Sequence, residues 1–352
     1  MAKEKRARKK TKAEILSVVF NEAISKSTTP ILPRKQAIKQ LVSSFYDMQA
    51  IRIQAGGRLV AAFYTKLGIQ PGEKISDEKA SMVLTLWANE YKKITDFLAD
   101  NTEALKDALG ESHLISSTEE FLLAEQYVDL LAKEKQLGDS IANLMAQEPI
   151  WNAFLKDVKG IGPYMAAVLV SSIDITKCTY VSNLWAYAGL GVMIFEDGHG
   201  ERYSRKEAHL VVRDYINKSG EPSKKRGIRY NPFLKSKLQG VIAGSFLKSK
   251  NEKYSTLYYE RKNKMLLRRE SMIQDLCISK KIAYEDAKKE VMKNYPDKRL
   301  HLDASGYMLK FFLLDLYLAW RDLEKLPITE PYHIRVLKMG PHGQGHPQAK
   351  AA

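Results

Sequence analysis

WNAFLKDVKGIGPYMAAVLVSSI, residues 151–173, is the stretch that decides how the chain is read. Trp151, Phe154, Leu155 and Val158 stand at i, i+3, i+4 and i+7, the stripe of an amphipathic helix. Gly160-Ile161-Gly162 makes a sharp turn, and Pro163 stands where the first residue of a second helix belongs. Ala166 and Ala167 are small enough to let that second helix lie close to the first. The expected unit is a helix-hairpin-helix. Its two glycines remove the Cβ atoms that would hold a phosphate off the backbone, and Ile161 is expected to point inward and lock the turn. The first N–H groups of the second helix lack intrahelical partners and, with the helix dipole, form an anion site. Lys156, Lys159, Gly160, Ile161, Gly162, Pro163 and Tyr164 are therefore the expected phosphate contacts. Such contacts hold the backbone of a nucleic acid and read no base. A bare Gly-x-Gly before a helix also occurs in purely structural hairpins, so the weight lies on its flanks and on the charge around it.

Upstream, Ser116 to Glu148 reads as one long helix. Ser116 with Glu119, and Ser117 with Glu120, each fit a capping box. Leu123, Tyr127, Leu130, Leu137, Ile141 and Leu144 recur at steps of four and three, as in a coiled-coil seam, with Glu134 at one core position and Pro149 ending the helix. The seam packs against an earlier helix of the same chain or against a second copy, a homodimer through residues 116–148. Earlier still, Ile38, Leu41, Val42, Phe45 and Tyr46 mark a helix from about Arg34 to Lys66, interrupted at Gly56-Gly57. Ser76 is placed to cap a third helix carrying Met82, Val83, Leu86 and Trp87. Before these lie a helical stripe of Ile15, Leu16, Val19, Phe20 and Ala23, broken by Pro30 and Pro33, and a basic arm, MAKEKRARKKTK.

Downstream, TYVSNLWAYAGLGV holds a short helix, with Ser182 as its cap and Gly189 at its end. Strand signals are few. The best is a hairpin turning at Asp197-Gly198 between Met193–Phe195 and Arg202–Tyr203. Helices return at Phe233 to Lys248, through Met265 and Ile273, and from Tyr307 to Leu326, before the loose tail GPHGQGHPQAKAA. The expected fold is all-α with at most a small β-hairpin. Its expected parts are a disordered arm (1–12), a helical region (13–110), a coiled-coil-like helix (115–148), a helix-hairpin-helix domain (149–330) and a flexible tail (340–352).

The composition fits a nucleic-acid partner. The chain carries 56 Lys and Arg against 41 Asp and Glu, a formal charge of +15, and such a balance suits a polyanion. Lys218, Lys224, Lys225, Arg226, Arg229, Lys235 and Lys237, interleaved with Tyr230 and Phe233, read as one basic track, which Arg261, Lys262, Lys264, Arg268 and Arg269 extend. Cys178 and Cys277 belong to no zinc or disulfide spacing, which fits a reducing, cytoplasmic setting. The most apolar stretch, Tyr307 to Trp320, is too short to span a bilayer, so no membrane partner is expected. No metal site is expected either: Asp197, His199, Glu201 and His209 centre on a hairpin tip, and His342 and His346 fall in the tail. No phosphate-binding Walker loop or nucleophile elbow is present, and the residues after the hairpin lack the Lys and Asp of a base-excision glycosylase.

From GIGPYMAAVLVSSID through SNLWAYAGLGV the chain resembles the C-terminal half of Piv-type DNA invertases and related insertion-sequence transposases, the bridge-RNA-guided DEDD recombinases. The likeness extends over roughly residues 115–325, more weakly through NPFLKSKLQGVIAGSFLKSK and HLDASGYMLKFFLLDLYLAW. It implies a mobile-element protein that binds duplex or branched DNA during transposition or recombination and associates with the nucleoid. That family pairs this half with an RNase H-like domain carrying four metal-binding acids. Here residues 13–110 read as helices, with Asp47, Asp77, Asp96 and Asp100 on their surfaces, and no cofactor is visible. The family's serine would correspond to Ser219 in NKSGEPSKKRG, with Ser223 as the alternative, and a serine hydroxyl needs an activating base or metal. Three expectations follow: a DNA-binding protein without the nuclease half, an active serine-dependent recombinase completed by a partner subunit, or a module that binds structured RNA.

Overall fold

A computed structural model describes residues 34–70, 76–100, 109, 112, 114–191, 195–196, 202–203 and 210–329. The basic arm, the first helical stripe, the group Asp197, His199, Glu201 and His209, and the tail with His342 and His346 lie outside the described residues.

The protein is mainly helical, with two antiparallel hairpins as its only described strands. Helix α1 (Arg34–Lys66) and helix α2 (Asp77–Asp100) precede the long α3 (Thr118–Met145). Helix α1 is unbroken at Gly56-Gly57, contrary to the expected interruption. A Cβ at Gly56 would stand 3.2 Å from the Tyr127 ring and 3.3 Å from Leu84, so that glycine lets three helices approach and does not break one. Ser76 caps α2 weakly, 3.4 Å from the Lys79 amide. Val83 and Trp87 face inward, whereas Met82 and Leu86 of the expected stripe are exposed. At the start of α3, Ser117 accepts from the Glu120 amide, while the Glu120 carboxylate accepts from the Ser116 amide and from Lys66. Of the two expected capping boxes, only the Ser117 half of the Ser117–Glu120 one forms, and Glu120 returns to Ser116, one residue before the cap.

Helices α1 and α3 run antiparallel along their whole length. Arg34 reaches the Gln147 carbonyl at one end, Arg52 pairs with Glu134 in the middle, and Lys66 pairs with Glu120 at the other. The seam of α3 thus packs within its own chain. Glu134 is buried there because Arg52 of α1 neutralises it and Gln49 Nε2 donates a hydrogen bond to it at 3.0 Å. This polar waist separates two apolar clusters. On one side Ala55, Leu59, Val83, Trp87, Ala124 and Tyr127 pack together. On the other, Ile38, Val42, Phe45, Ile141 and Met145 join the main core built by the rest of the chain.

Pro149 opens a helix and does not close one, because proline suits a first helical turn. Helix α4 (Pro149–Ala153) is a single turn, followed after Phe154 by a 3-10 turn (Leu155–Asp157). The expected continuous helix over 151–158 is therefore broken at Phe154, whose φ of −147° and ψ of −56° are neither helical nor extended. The apolar spacing survives the break: Leu155 and Val158 are still buried. Helix α5 (Pro163–Ser172) runs through the core, with Ala166, Ala167, Val168 and Leu169 fully buried. Helix α6 (Val181–Tyr187) starts after Tyr180, placing Ser182 inside its first turn instead of at its cap.

Strands β1 (Phe195–Glu196) and β2 (Arg202–Tyr203) pair as the expected small hairpin. A second hairpin, β3 (Leu210–Ile216) with β4 (Pro222–Ile228), arises in and before the first part of the basic track, where no strand is expected. Helix α7 (Pro232–Lys237) passes through a π-helical turn (Leu238–Ile242) into α8 (Ala243–Lys248). Helix α9 (Glu252–Lys280) and α10 (Tyr284–Asn294) form an outlying corner around Ile273, Ala287 and Val291. Helix α11 (Asp297–Leu323) starts ten residues before the expected apolar segment and supplies Met308, Phe312, Leu316 and Tyr317 to the main core. Its buried Arg321 donates to the carbonyls of Ile175, Cys178 and Pro327, a guanidinium satisfied by backbone alone. Among the described residues no helix is long and apolar enough to cross a membrane.

Candidate nucleic-acid interface

The turn between α4 and α5 is held from one side and open on the other. Gly160 has a φ of +100°, a region that favours glycine. A Cβ there would also meet Ser249 Oγ at 2.8 Å, Phe246 at 3.1 Å and the Ser245 carbonyl at 3.2 Å. The inner side of the turn thus rests against the end of α8. Ser245 Oγ donates to the Gly160 carbonyl at 2.6 Å, and Asn251 Nδ2 donates to the Lys159 carbonyl at 2.9 Å. Asn251 also caps α9 through Oδ1, which fixes its amide group in place. Ile161 is buried and its N–H donates to the Val158 carbonyl at 2.9 Å, the inward lock expected of it.

Gly162 differs from Gly160 in every respect. Its φ of −93° and ψ of 172° are open to any residue, it is exposed, and no atom lies within 4 Å of the place a Cβ would take. It is the N-cap of α5 and brings no side chain to cap that helix. Pro163 has no N–H, so the amides of Tyr164 and Met165 are the donors left at the end of the dipole. Tyr164 stays partly exposed while its ring leans on Phe45, with centroids 5.2 Å apart. The polar end of α5 thus faces outward at a fixed position, which suits an anion.

Lys156 and Lys159 are exposed beside the turn. Lys248 and Lys250, which sequence reasoning passed over, are exposed too and flank Ser249, whose hydroxyl lies 3.5 Å from the Lys159 carbonyl. The signal lay in SFLKSKN, where serines one helical turn apart and an asparagine alternate with lysines.

The expected single basic track falls into two groups. Lys218, Lys224, Lys225 and Arg226 are exposed on the β3–β4 hairpin, with Arg229 just beyond it. Lys235 and Lys237 lie instead on the body of the protein, over aromatic rings. Lys235 Nζ is 4.4 Å from the Tyr230 ring centre, and Lys237 Nζ is 3.3 Å from that of Tyr46. Burial holds the Lys237 ammonium below the ordinary lysine pKa, and the contact serves packing between α1 and α7. In the proposed extension, Arg261 and Arg269 are tied to Asp303 and Asp297 at 2.7 Å each, while Lys264 and Arg268 are exposed.

Ser219 is exposed at the hairpin tip. Asn217 Oδ1 accepts from its backbone amide and from that of Glu221, both at 2.9 Å, and Gly220 completes the turn at φ +84°. Among the described residues no side chain is hydrogen-bonded to the Ser219 hydroxyl, and no three His, Cys, Asp or Glu residues are grouped to hold a metal ion. Residues 34–66 and 77–100 are helices, with Asp47, Asp77 and Asp96 exposed on them. Comparison with protein-family models, with curated proteins and with solved structures gives no significant match.

Proposed function

We propose that this chain is a DNA-binding protein of the transposase and DNA-invertase kind, one that holds duplex or branched DNA by its phosphates during transposition or recombination. The observation that carries the proposal is the outward, uncapped start of α5 at Gly162, with the rest of its turn anchored from behind. A phosphate seated there accepts from the first-turn amides and meets no Cβ. Lys156 and Lys159 precede the turn and Lys248 and Lys250 flank the Ser249 that anchors it, all four exposed and positively charged. The likeness of residues 160–192 to the family's C-terminal half points the same way. Ser219 enters this reading as a tip residue of the β3–β4 hairpin.

Binding of this kind is independent of sequence and driven by counterion release. With about six phosphate contacts, affinity for a duplex falls roughly a thousandfold between 50 and 200 mM salt. Fluorescence anisotropy with a labelled duplex measures this. A flat salt profile, or no binding at 50 mM salt, contradicts the proposal.

A further inference from the structure

The β3–β4 hairpin is a ribbon whose described side chains are mostly exposed. Its seven residue pairs run in unbroken register from Leu210 opposite Ile228 to Ile216 opposite Pro222. The described side chains of β3 are all exposed, those of β4 are exposed or half-buried, and none of these described side chains joins a hydrophobic cluster. A two-stranded ribbon by itself is marginal in water, and this one shows Val212 at 60% exposure and Ile216 at 73%. The tip is nonetheless well formed, through the Asn217 bonds described above. Such a ribbon calls for an occupant on its surface.

Charge and shape identify it. Residues 210–229 carry six Lys and Arg against two Asp and Glu. Pairing places Val212 beside Arg226 and Asp214 beside Lys224 on one face, with Ile216 further along the same face. Apolar contact is therefore mixed with positive charge on one side of the ribbon. Lys224, Lys225 and Arg226 also line the β4 edge, which opposes pairing with a strand of another copy. Seven residues of strand reach about 20 Å, with the two strands about 5 Å apart. The major groove of B-form DNA, about 12 Å wide, admits a two-stranded ribbon, whereas the minor groove, about 6 Å wide, is a poor fit. The major groove of A-form RNA is too deep and narrow for side chains to read.

We infer that the β3–β4 ribbon is an arm that lies in the major groove of B-form duplex DNA, while the start of α5 holds a phosphate outside the groove. This rests on the DNA-binding proposal above and deepens it: the arm makes DNA, rather than structured RNA, the preferred partner. Arg226 and Lys224 pair with the phosphates that line the groove, and Val212 and Ile216 rest on its floor.

The test uses the full chain and two variants. In one, residues 213–225 are replaced by Asn-Gly, so that Val212 and Arg226 flank a two-residue turn. In the other, Lys224→Ala, Lys225→Ala and Arg226→Ala are combined. Both should melt with the parent, since the arm contributes nothing to the core. Dimethyl sulfate footprinting of a saturated duplex reads guanine N7 in the major groove and adenine N3 in the minor groove. The intact protein is expected to protect N7. Both variants should lose that protection, bind the duplex about tenfold or more weakly, and bind a structured RNA as the parent does. The triple variant should also lower the salt slope by about two to three. Unchanged N7 protection, protection at adenine N3 alone, or an equal loss on RNA overturns the arm. If the shortened variant binds duplex as well as the parent does, only this inference fails. If the intact protein binds no duplex, this inference and the DNA-binding proposal fail together.

Discussion

Gly160 and Gly162 stand two residues apart and do opposite work. Gly160 has the left-handed backbone and a wall of α8 atoms against it, whereas Gly162 has an ordinary backbone and open space. Gly160→Ala should cost about 1 to 3 kcal/mol from the backbone alone, more with the clash against the Ser245 carbonyl. Gly162→Ala should cost less than about 1 kcal/mol, the difference between two N-cap residues. Urea melts of the two variants check this; equal losses would contradict the division of roles. The turn itself was legible in the sequence, because Gly-x-Gly-Pro encodes backbone geometry locally. Which glycine is packed and which is open was not, since Ser245 and Ser249 come from more than eighty residues away. The same holds for Lys237: a lysine in a basic run reads as a phosphate contact until Tyr46, from a distant helix, is found beneath it.

Among the elements, the α1–α3 pair was read most fully from sequence, because a repeat of apolar residues marks a buried seam. Glu134 stood out as an irregularity in that seam, and its partners Arg52 and Gln49 became visible only in three dimensions. Taking away one member of a mostly buried pair leaves a charge without compensation. Glu134→Leu or Arg52→Leu alone should therefore destabilise the protein by about 2 kcal/mol, while the two together should stay within about 1 kcal/mol of the parent. Additive losses in this double-mutant cycle would show that the pair is not coupled. The β3–β4 ribbon was missed for a physical reason. LVVRDYI has the β-branched and aromatic residues of a strand, but it lacks the apolar–polar alternation that marks a half-buried strand, and its described side chains are exposed. Its basic partner strand, PSKKRGI, reads as a solvated loop for the same reason.

At the scale of the whole molecule, helical architecture and net charge were both legible, since each is a sum over many residues. Oligomeric state was not, because a heptad seam does not say which helix covers it. Here α1 covers the seam of α3. The full chain should accordingly sediment as a single copy at low micromolar concentration, and a dimer that dissociates when Leu137 and Ile141 are made polar would contradict that placement. The account as a whole turns on the start of α5 as a seat for phosphate. Gly162→Asp tests it most directly, since aspartate is a favoured N-cap at this backbone conformation yet sets a carboxylate where the phosphate should rest. Thermal melting and duplex affinity are measured together on this variant at 50 mM salt. The prediction is a melting temperature at or above that of the parent, with affinity lower by about a hundredfold or more, the joint effect of a lost anion site and a like charge in its place. Parent-like affinity in a protein that melts as the parent does would contradict the account.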